Sequence, residues 1–157
     1  MSLRGNAFLA VWNDVELRRD DEYNLWHTRE HVPERAGVPG ILEGRRYVAP
    51  EPGLHKYFTL YDLSSLGALS SQPYLELLEY PAPQTLAMQP ALRNVTGEAC
   101  RVVISLGAGT GGFAATIRFE RLKTMGALPA EEARQTLNRL YEIPILTALH
   151  LGAVEQT

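Results

Sequence analysis

Apolar residues fall in short runs separated by turn residues, and the runs alternate between strand and helix periods. Phe8-Leu9-Ala10-Val11-Trp12 has the length and composition of a strand. Asp20-Asp21 offers helix N-cap chemistry, and Glu22 stands where the helix dipole favours an acid. A helix is predicted from Glu22 to about His31, with Pro33 in an irregular last turn and Gly37-Val38-Pro39-Gly40 as the stop. Ile41 to Val48 reads as a strand, and Ala49-Pro50-Glu51-Pro52-Gly53 as a loop. His55 to Leu63 alternates Tyr57, Thr59 and Tyr61 against Phe58 and Leu60, which predicts the second arm of a hairpin. Pro73 suits the first turn of a helix over Tyr74–Leu78, which Pro81 and Pro83 end. A passage containing Pro90 leads to a strand from about Gly97 to Leu106.

The resulting order is strand, helix, strand, strand, helix, strand. Helices covering one face of an antiparallel sheet satisfy the layer rule for α+β domains, and the ferredoxin-like split βαβ unit is the usual solution. The pattern then restarts. Gly112-Phe113-Ala114-Ala115-Thr116-Ile117 resembles Ala7–Trp12, a helix is predicted from Pro129 to about Tyr141, and Ile143-Pro144-Ile145-Leu146 echoes Val38–Leu42. Phe113 follows Phe8 by 105 residues and Ile145 follows Ile41 by 104, and two correspondences at nearly one offset favour an internal repeat. The expected division is a complete repeat over residues 5–106, a Gly-rich linker over 107–111, and a β-α-β partial second repeat over 112–157. One sheet face of the first repeat and the edges of the second need cover, which predicts association, a homodimer in the simplest case.

Composition narrows the partners. Of the 157 residues 45% are hydrophobic and 21% charged, an ordinary mix for a globular protein. The net charge of −3 disfavours nucleic acid or an anionic membrane as the main partner, because phosphate binding needs a basic surface. The single cysteine, Cys100, excludes an internal disulfide and a four-cysteine metal site, and its apolar neighbours mark it as core. No apolar leader-like segment and no run near the ~20 residues of a membrane span is present, so the expected location is the cytoplasm.

The stretch Tyr23-Asn24-Leu25-Trp26-His27-Thr28-Arg29-Glu30-His31-Val32-Pro33-Glu34-Arg35, followed by Val38-Pro39-Gly40-Ile41 and Arg45-Arg46-Tyr47-Val48, resembles the EthD-like members of the dimeric α/β-barrel superfamily. Tyr57-Phe58-Thr59-Leu60-Tyr61 and the region of Phe119 fit the same pattern, so the resemblance covers about residues 7 to 121. It implies two ferredoxin-like sheets facing each other in a barrel, usually by dimerisation, with a small-molecule pocket between helices and sheet. Superfamily members include cofactor-free monooxygenases, a lactone isomerase and haem-handling enzymes, so the resemblance implies a fold more than a reaction.

Candidate chemistry concentrates on the first helix. His27-Thr28-Arg29-Glu30-His31 spells H-x-x-E-H, which can hold zinc between histidines at i and i+4. The missing third ligand and the nearby Pro33 predict no metal here. Tyr23, Trp26, His27, Glu30 and His31 share a helical stripe. His31 and His27 are therefore the candidate acid–base groups, with Tyr23, Trp26, Glu30, Arg46, Tyr47 and Trp12 as candidate substrate-binding residues. The alternative is a stripe of core aromatics with a rim network in which Glu30 or Glu34 meets Arg45 or Arg46. Those arginines alternate across their strand, so one must face the interior and needs an acceptor. Gly107-Ala108-Gly109-Thr110-Gly111-Gly112 contains G-x-G-x-x-G, but a strand-like run rather than a helix follows, so a connector is expected instead of a dinucleotide site. The expected function is binding or transforming a small, mostly apolar molecule without a permanent cofactor. The alternatives are a haem-binding or haem-degrading protein, with a histidine as axial ligand, and a non-catalytic structural or interaction protein.

Overall fold

A computed structural model describes residues 3–51, 53–118 and 130–154. The chain divides into two compact units, one of Leu3–Val102 with the segment from Gly152, the other spanning Val103–Leu151. Strands β1 (Ala7–Val15), β2 (Ile41–Val48), β3 (Tyr57–Leu63), β4 (Leu92–Gly107) and β5 (Ala148–Val154) form a sheet in the order β2-β3-β1-β4-β5. β1 is antiparallel to both β3 and β4, and β2 is antiparallel to β3. The order 2-3-1-4, with the central β1 and β3 flanked by β2 and β4, is the ferredoxin-like arrangement expected of the element sequence.

The first helix is longer and less regular than the hydrophobic stripe predicts. α1 (Asp20–Trp26) runs into a π turn (His27–His31) and on into α2 (Val32–Ala36). Pro33 supplies the reason. It has no N–H to continue the ladder, and its ring would crowd the carbonyl one turn back. The turn ahead of it widens, so that the Val32 N–H reaches the His27 carbonyl, five residues away. Arg19 occupies the N-cap, which leaves Asp20 and Asp21 inside the first turn. Asp20 there accepts hydrogen bonds from Lys56 Nζ at 2.6 Å and Tyr57 Oη at 2.5 Å.

The second helical segment also differs from the reading. α3 (Gln72–Glu79) appears with Pro73 in its first turn, but a further helix, α4 (Pro83–Met88), follows where a loop is expected. Pro83 does not break structure there; it opens α4, where a missing N–H costs nothing. β4 begins at Leu92, well before Gly97. A register shift lies between Trp12 and Asp14, and Asn94 takes a φ of 50° there, so a bulge carries the pairing on to Val15.

The core of the first unit lies between helices and sheet in two clusters. Ala7, Val38, Ile41, Tyr61, Leu63 and Ala68 form one; Tyr23, Trp26, Tyr57, Met88 and Ala91 form the other. At Gly44 of β2 a Cβ would come within 2.7 Å of Val32 Cγ1 and 3.1 Å of the Tyr61 ring, so glycine is what lets α2 lie close on the sheet. Cys100 is buried, as its apolar context predicts, and burial pushes its thiol up to about 11. No helix among the described residues is long and apolar enough to cross a membrane.

In the second unit, α5 (Ala130–Tyr141) matches the predicted helix, a turn follows, and β5 begins at Ala148 rather than Ile145. The expected strand at Phe113–Ile117 is absent. Residues 113–118 adopt no regular secondary structure, and Phe113 and Ile117 are 95% and 83% exposed. Apolar alternation specifies a strand only where a neighbouring strand buries one face, and among the described residues no strand pairs with this run. Phe119 and Pro129 lie outside the described residues. Gly107 has φ +84°, and a Cβ on it would meet the Thr147 carbonyl at 2.3 Å. The glycine-rich segment is therefore packed against the turn before β5, and no helix follows it through residue 118.

Candidate functional site

Register assigns each side chain to a sheet face. Leu9, Tyr61 and Gly44 oppose one another across β1, β3 and β2, as do Val11, Thr59 and Arg46. These rows face the helices, since Gly44 meets Val32 and Arg46 reaches the helix residues Asn24 and Thr28. Trp12, Phe58 and Tyr47 form the adjacent row, which points to the opposite face. There Trp12 stacks on Phe58 at 5.2 Å and Tyr47 on Phe58 at 5.9 Å.

On the helix side a cleft of about 130 Å³ opens between sheet and helices, lined by Leu9, Val11, His31, Arg35, Ile41, Tyr61 and Tyr74. Its walls come from β1, β2, β3, the π turn, α2 and α3. Three of its side chains carry buried polar atoms without a hydrogen-bond partner among the described residues: His31 Nδ1, Arg35 Nη1 and Tyr61 Oη. Buried polar groups are nearly always satisfied, so three on one small cleft call for an explanation. The Arg35 guanidinium carbon lies 5.4 Å from the centre of the Tyr74 ring, within cation–π range.

The electrostatics follow from burial. Desolvation, with the Arg35 charge beside it, lowers His31 to about 4, so its ring is neutral at pH 7 and carries one donor and one acceptor nitrogen. Burial raises the Tyr61 phenol well above its ordinary value, which keeps it a donor. His27 sits behind His31, with ring centres 5.1 Å apart, in an aromatic cluster with Tyr23 at 4.9 Å and Trp26 at 5.5 Å. Burial, then Arg46 and His31, lower it to about 2.

The structure thus separates the residues that the sequence groups together. His31 lines the cleft; His27 is packed one layer away, its Nδ1 also unpartnered. Tyr23 is fully buried and donates to Asn13 Oδ1 at 3.0 Å, and Trp26 Nε1 donates to Thr85 Oγ1 at 3.3 Å, so both belong to the core. Arg46 binds Thr28 and, at 2.9 Å, Asn24 Oδ1, and lies over the Tyr23 ring at 5.4 Å. Glu30 is partly buried and lines no part of the cleft. Trp12 and Tyr47 lie across the sheet. The expected rim network does not form: among the described residues the arginines of β2 pair with no helix glutamate, and Arg45 has only Glu43, at 4.0 Å. No three His, Cys, Asp or Glu side chains among the described residues converge as a metal site.

Arg35 is the cleft residue that the sequence reading passes over, and Tyr61 enters that reading only as one of several strand aromatics. A signal was present. Arg35 follows His31 by one helical turn, as His31 follows His27, so the stripe runs on past Pro33. Reading Pro33 as the end of the useful helix hid it.

No protein-family model matches the chain, and no curated protein is significantly similar to it in sequence. Among solved structures the chain is similar to HapK from Hahella chejuensis, with a TM-score of 0.45 and 11% identity, covering 70% of this chain and 99% of that one. Likeness at this level assigns neither family nor activity, and the fold class rests on the strand order and register above.

Proposed function

We propose that the cleft between the π turn and the sheet binds a small, mostly apolar molecule with a polar end, without a permanent cofactor, and that His31 is the group placed to exchange a proton with it. The observation that carries this reading is the convergence of three unsatisfied buried polar atoms, on His31, Arg35 and Tyr61, on one recess whose other walls are Leu9, Val11, Ile41 and Tyr74. A few polar groups in an apolar concavity is the usual composition of a ligand site. A π turn in the helix that supplies His31 adds weight, since such turns recur at functional sites. The size favours a ligand near that of one aromatic ring, because an apolar cavity of about 150 Å³ holds benzene. A haem would need several times that room. Burial and the Arg35 charge are what keep His31 neutral.

We assign the chain to the EthD-like, dimeric α/β-barrel type, with a partial second repeat. The helix-to-strand turns support the repeat. Val38 N–H bonds Arg35 O and Ile41 N–H bonds Val38 O, while Ile143 N–H bonds Leu140 O and Leu146 N–H bonds Ile143 O, the same pattern 105 residues on.

The test is a ligand screen read by NMR at the His31 ring, using acidic, basic and neutral fragments of up to about ten heavy atoms. Saturable shifts in the native protein that vanish in Val11→Phe, which fills the cleft, are expected. If no fragment moves the His31 signal, or Val11→Phe binds as the native chain does, the reading falls.

A further inference from the structure

We infer that the ligand of this cleft is a small monocarboxylate, its carboxylate held by Arg35 and Tyr61 and its apolar body lying against Leu9, Val11 and Ile41. The inference rests on the ligand-site reading above and adds the charge and class of the molecule.

Charge and donor balance in the cleft point to an anion. Arg35 is 8% exposed, and a guanidinium stays protonated at any pH at which the protein is folded. Leaving such a charge buried without an acceptor is costly, and native chains avoid it by pairing. Among the described residues the ion pairs join Arg19 to Glu22, Arg45 to Glu43, Lys56 to Asp20 and Arg93 to Glu16; Arg35 is in none of them. No carboxylate lines the cleft. The guanidinium carbon lies 5.4 Å from the centre of the Tyr74 ring, a contact that supplies no hydrogen-bond acceptor to the buried Nη1. The second unpartnered group, Tyr61 Oη, is a phenol whose proton is free to be given. The third, His31, is a neutral ring with one donor nitrogen. The inventory is therefore one positive charge and up to three donors, with no anionic acceptor among the lining residues to match the charge. A carboxylate offers one negative charge and about four lone-pair sites, and it suits the planar fork of arginine. A neutral amide would satisfy donors but leave the charge uncompensated, and an amine would add a second positive charge. A dianion would leave one charge of its own without a partner.

The volume sets the rest of the molecule. About 130 Å³ takes a carboxylate with a single ring or a short branched chain. Benzoate is a suitable probe, with benzamide as its neutral counterpart of nearly equal shape and benzylamine as the cation. Binding is read as saturable displacement of the His31 ring signals and as a shift in Tm. The expected result is saturation by benzoate, at least about tenfold weaker binding of benzamide, and none of benzylamine. Arg35→Met should weaken benzoate at least about tenfold and leave benzamide nearly unchanged, while Arg35→Lys should recover part of the loss. Tyr61→Phe should weaken benzoate several-fold. The comparison of benzoate with benzamide on the native chain needs no variant, so poor folding of Arg35→Met does not spoil it. Equal binding of benzoate and benzamide overturns the carboxylate inference and leaves the cleft as a ligand site. Absence of any response at His31 to all three probes overturns both readings.

Discussion

At the scale of single residues, burial decides the chemistry more than identity does. His27 and His31 are typical surface-titrating side chains in the sequence, but the fold holds them at about 2 and about 4, below the ordinary 6.5. Between these values the unfolded chain binds protons that the folded chain refuses. Their contribution to stability is therefore complete above about pH 6.5 and is lost as the pH falls, down to about 4 for His31 and about 2 for His27, with a slope of up to about 1.4 kcal/mol per pH unit for each ring. Urea unfolding at pH 7.5 and pH 5 should differ by roughly 1 to 2 kcal/mol per histidine, the acidic condition being weaker. His27→Phe should shrink the difference. A flat profile across that window would show that the rings are not buried neutral. Asp62 shows how a buried carboxylate is satisfied by hydrogen bonds. It is fully buried, and its carboxylate accepts the backbone N–H groups of Arg4 at 2.5 Å and Gly5 at 3.3 Å, tying the approach to β1 onto β3. Asp62→Ala strands those donors and should cost about 2 kcal/mol in unfolding free energy.

At the scale of elements, two close fits shape the site. Gly44 lets α2 approach β2, and a methyl group there would press on Val32 and on the Tyr61 ring, a wall of the cleft. Gly44→Ala should destabilise the fold by about 1 to 3 kcal/mol and weaken ligand binding together, because the same displacement serves both. Calorimetric unfolding near the native Tm would count against this packing. The second fit is the π turn. Replacing Pro33 with Ala returns an N–H to the ladder and removes the ring's conflict with the preceding turn. The variant should gain stability, on the order of 1 kcal/mol, while turning His31 away from its native position and weakening fragment binding, a trade between stability and function of the usual kind. Unchanged His31 chemical shifts in that variant would show that Pro33 does not set the turn.

At the scale of the whole molecule, the reading of a barrel-type association can be measured directly. Sedimentation equilibrium at micromolar concentration should return twice the chain mass of 17.4 kDa. The exposure of Phe113, Ile117 and Ile145, all above 80%, is more than an isolated surface comfortably carries. Phe113→Ser with Ile117→Ser should shift the mass toward the monomer if those side chains serve the contact. A monomer across the concentration range in the native chain would remove the association claim and leave the fold of the first unit untouched.

The sequence by itself determined the ferredoxin-like order of elements, because hydrophobic period and turn residues act locally. β2 falls where predicted, from Ile41 to Val48, and α3 and α5 lie where Pro73 and the apolar stripe place them. It also determined which helix carries the interesting polar residues, since the stripe through His27 and His31 is a matter of spacing. Tertiary structure decided the rest. Whether Phe113–Ile117 became a strand depended on a partner that the run itself does not encode. Trp12 and Tyr47 parted from His31 because a one-residue step changes sheet face, and only the pairing register fixes which face meets the helices. Arg35 and Tyr61 joined His31 because α2 and β3, some 25 residues apart in the chain, pack against each other. A residue's neighbours along the chain set its backbone; its neighbours across the core set its charge state and its partners, and those come into being only when the chain closes on itself.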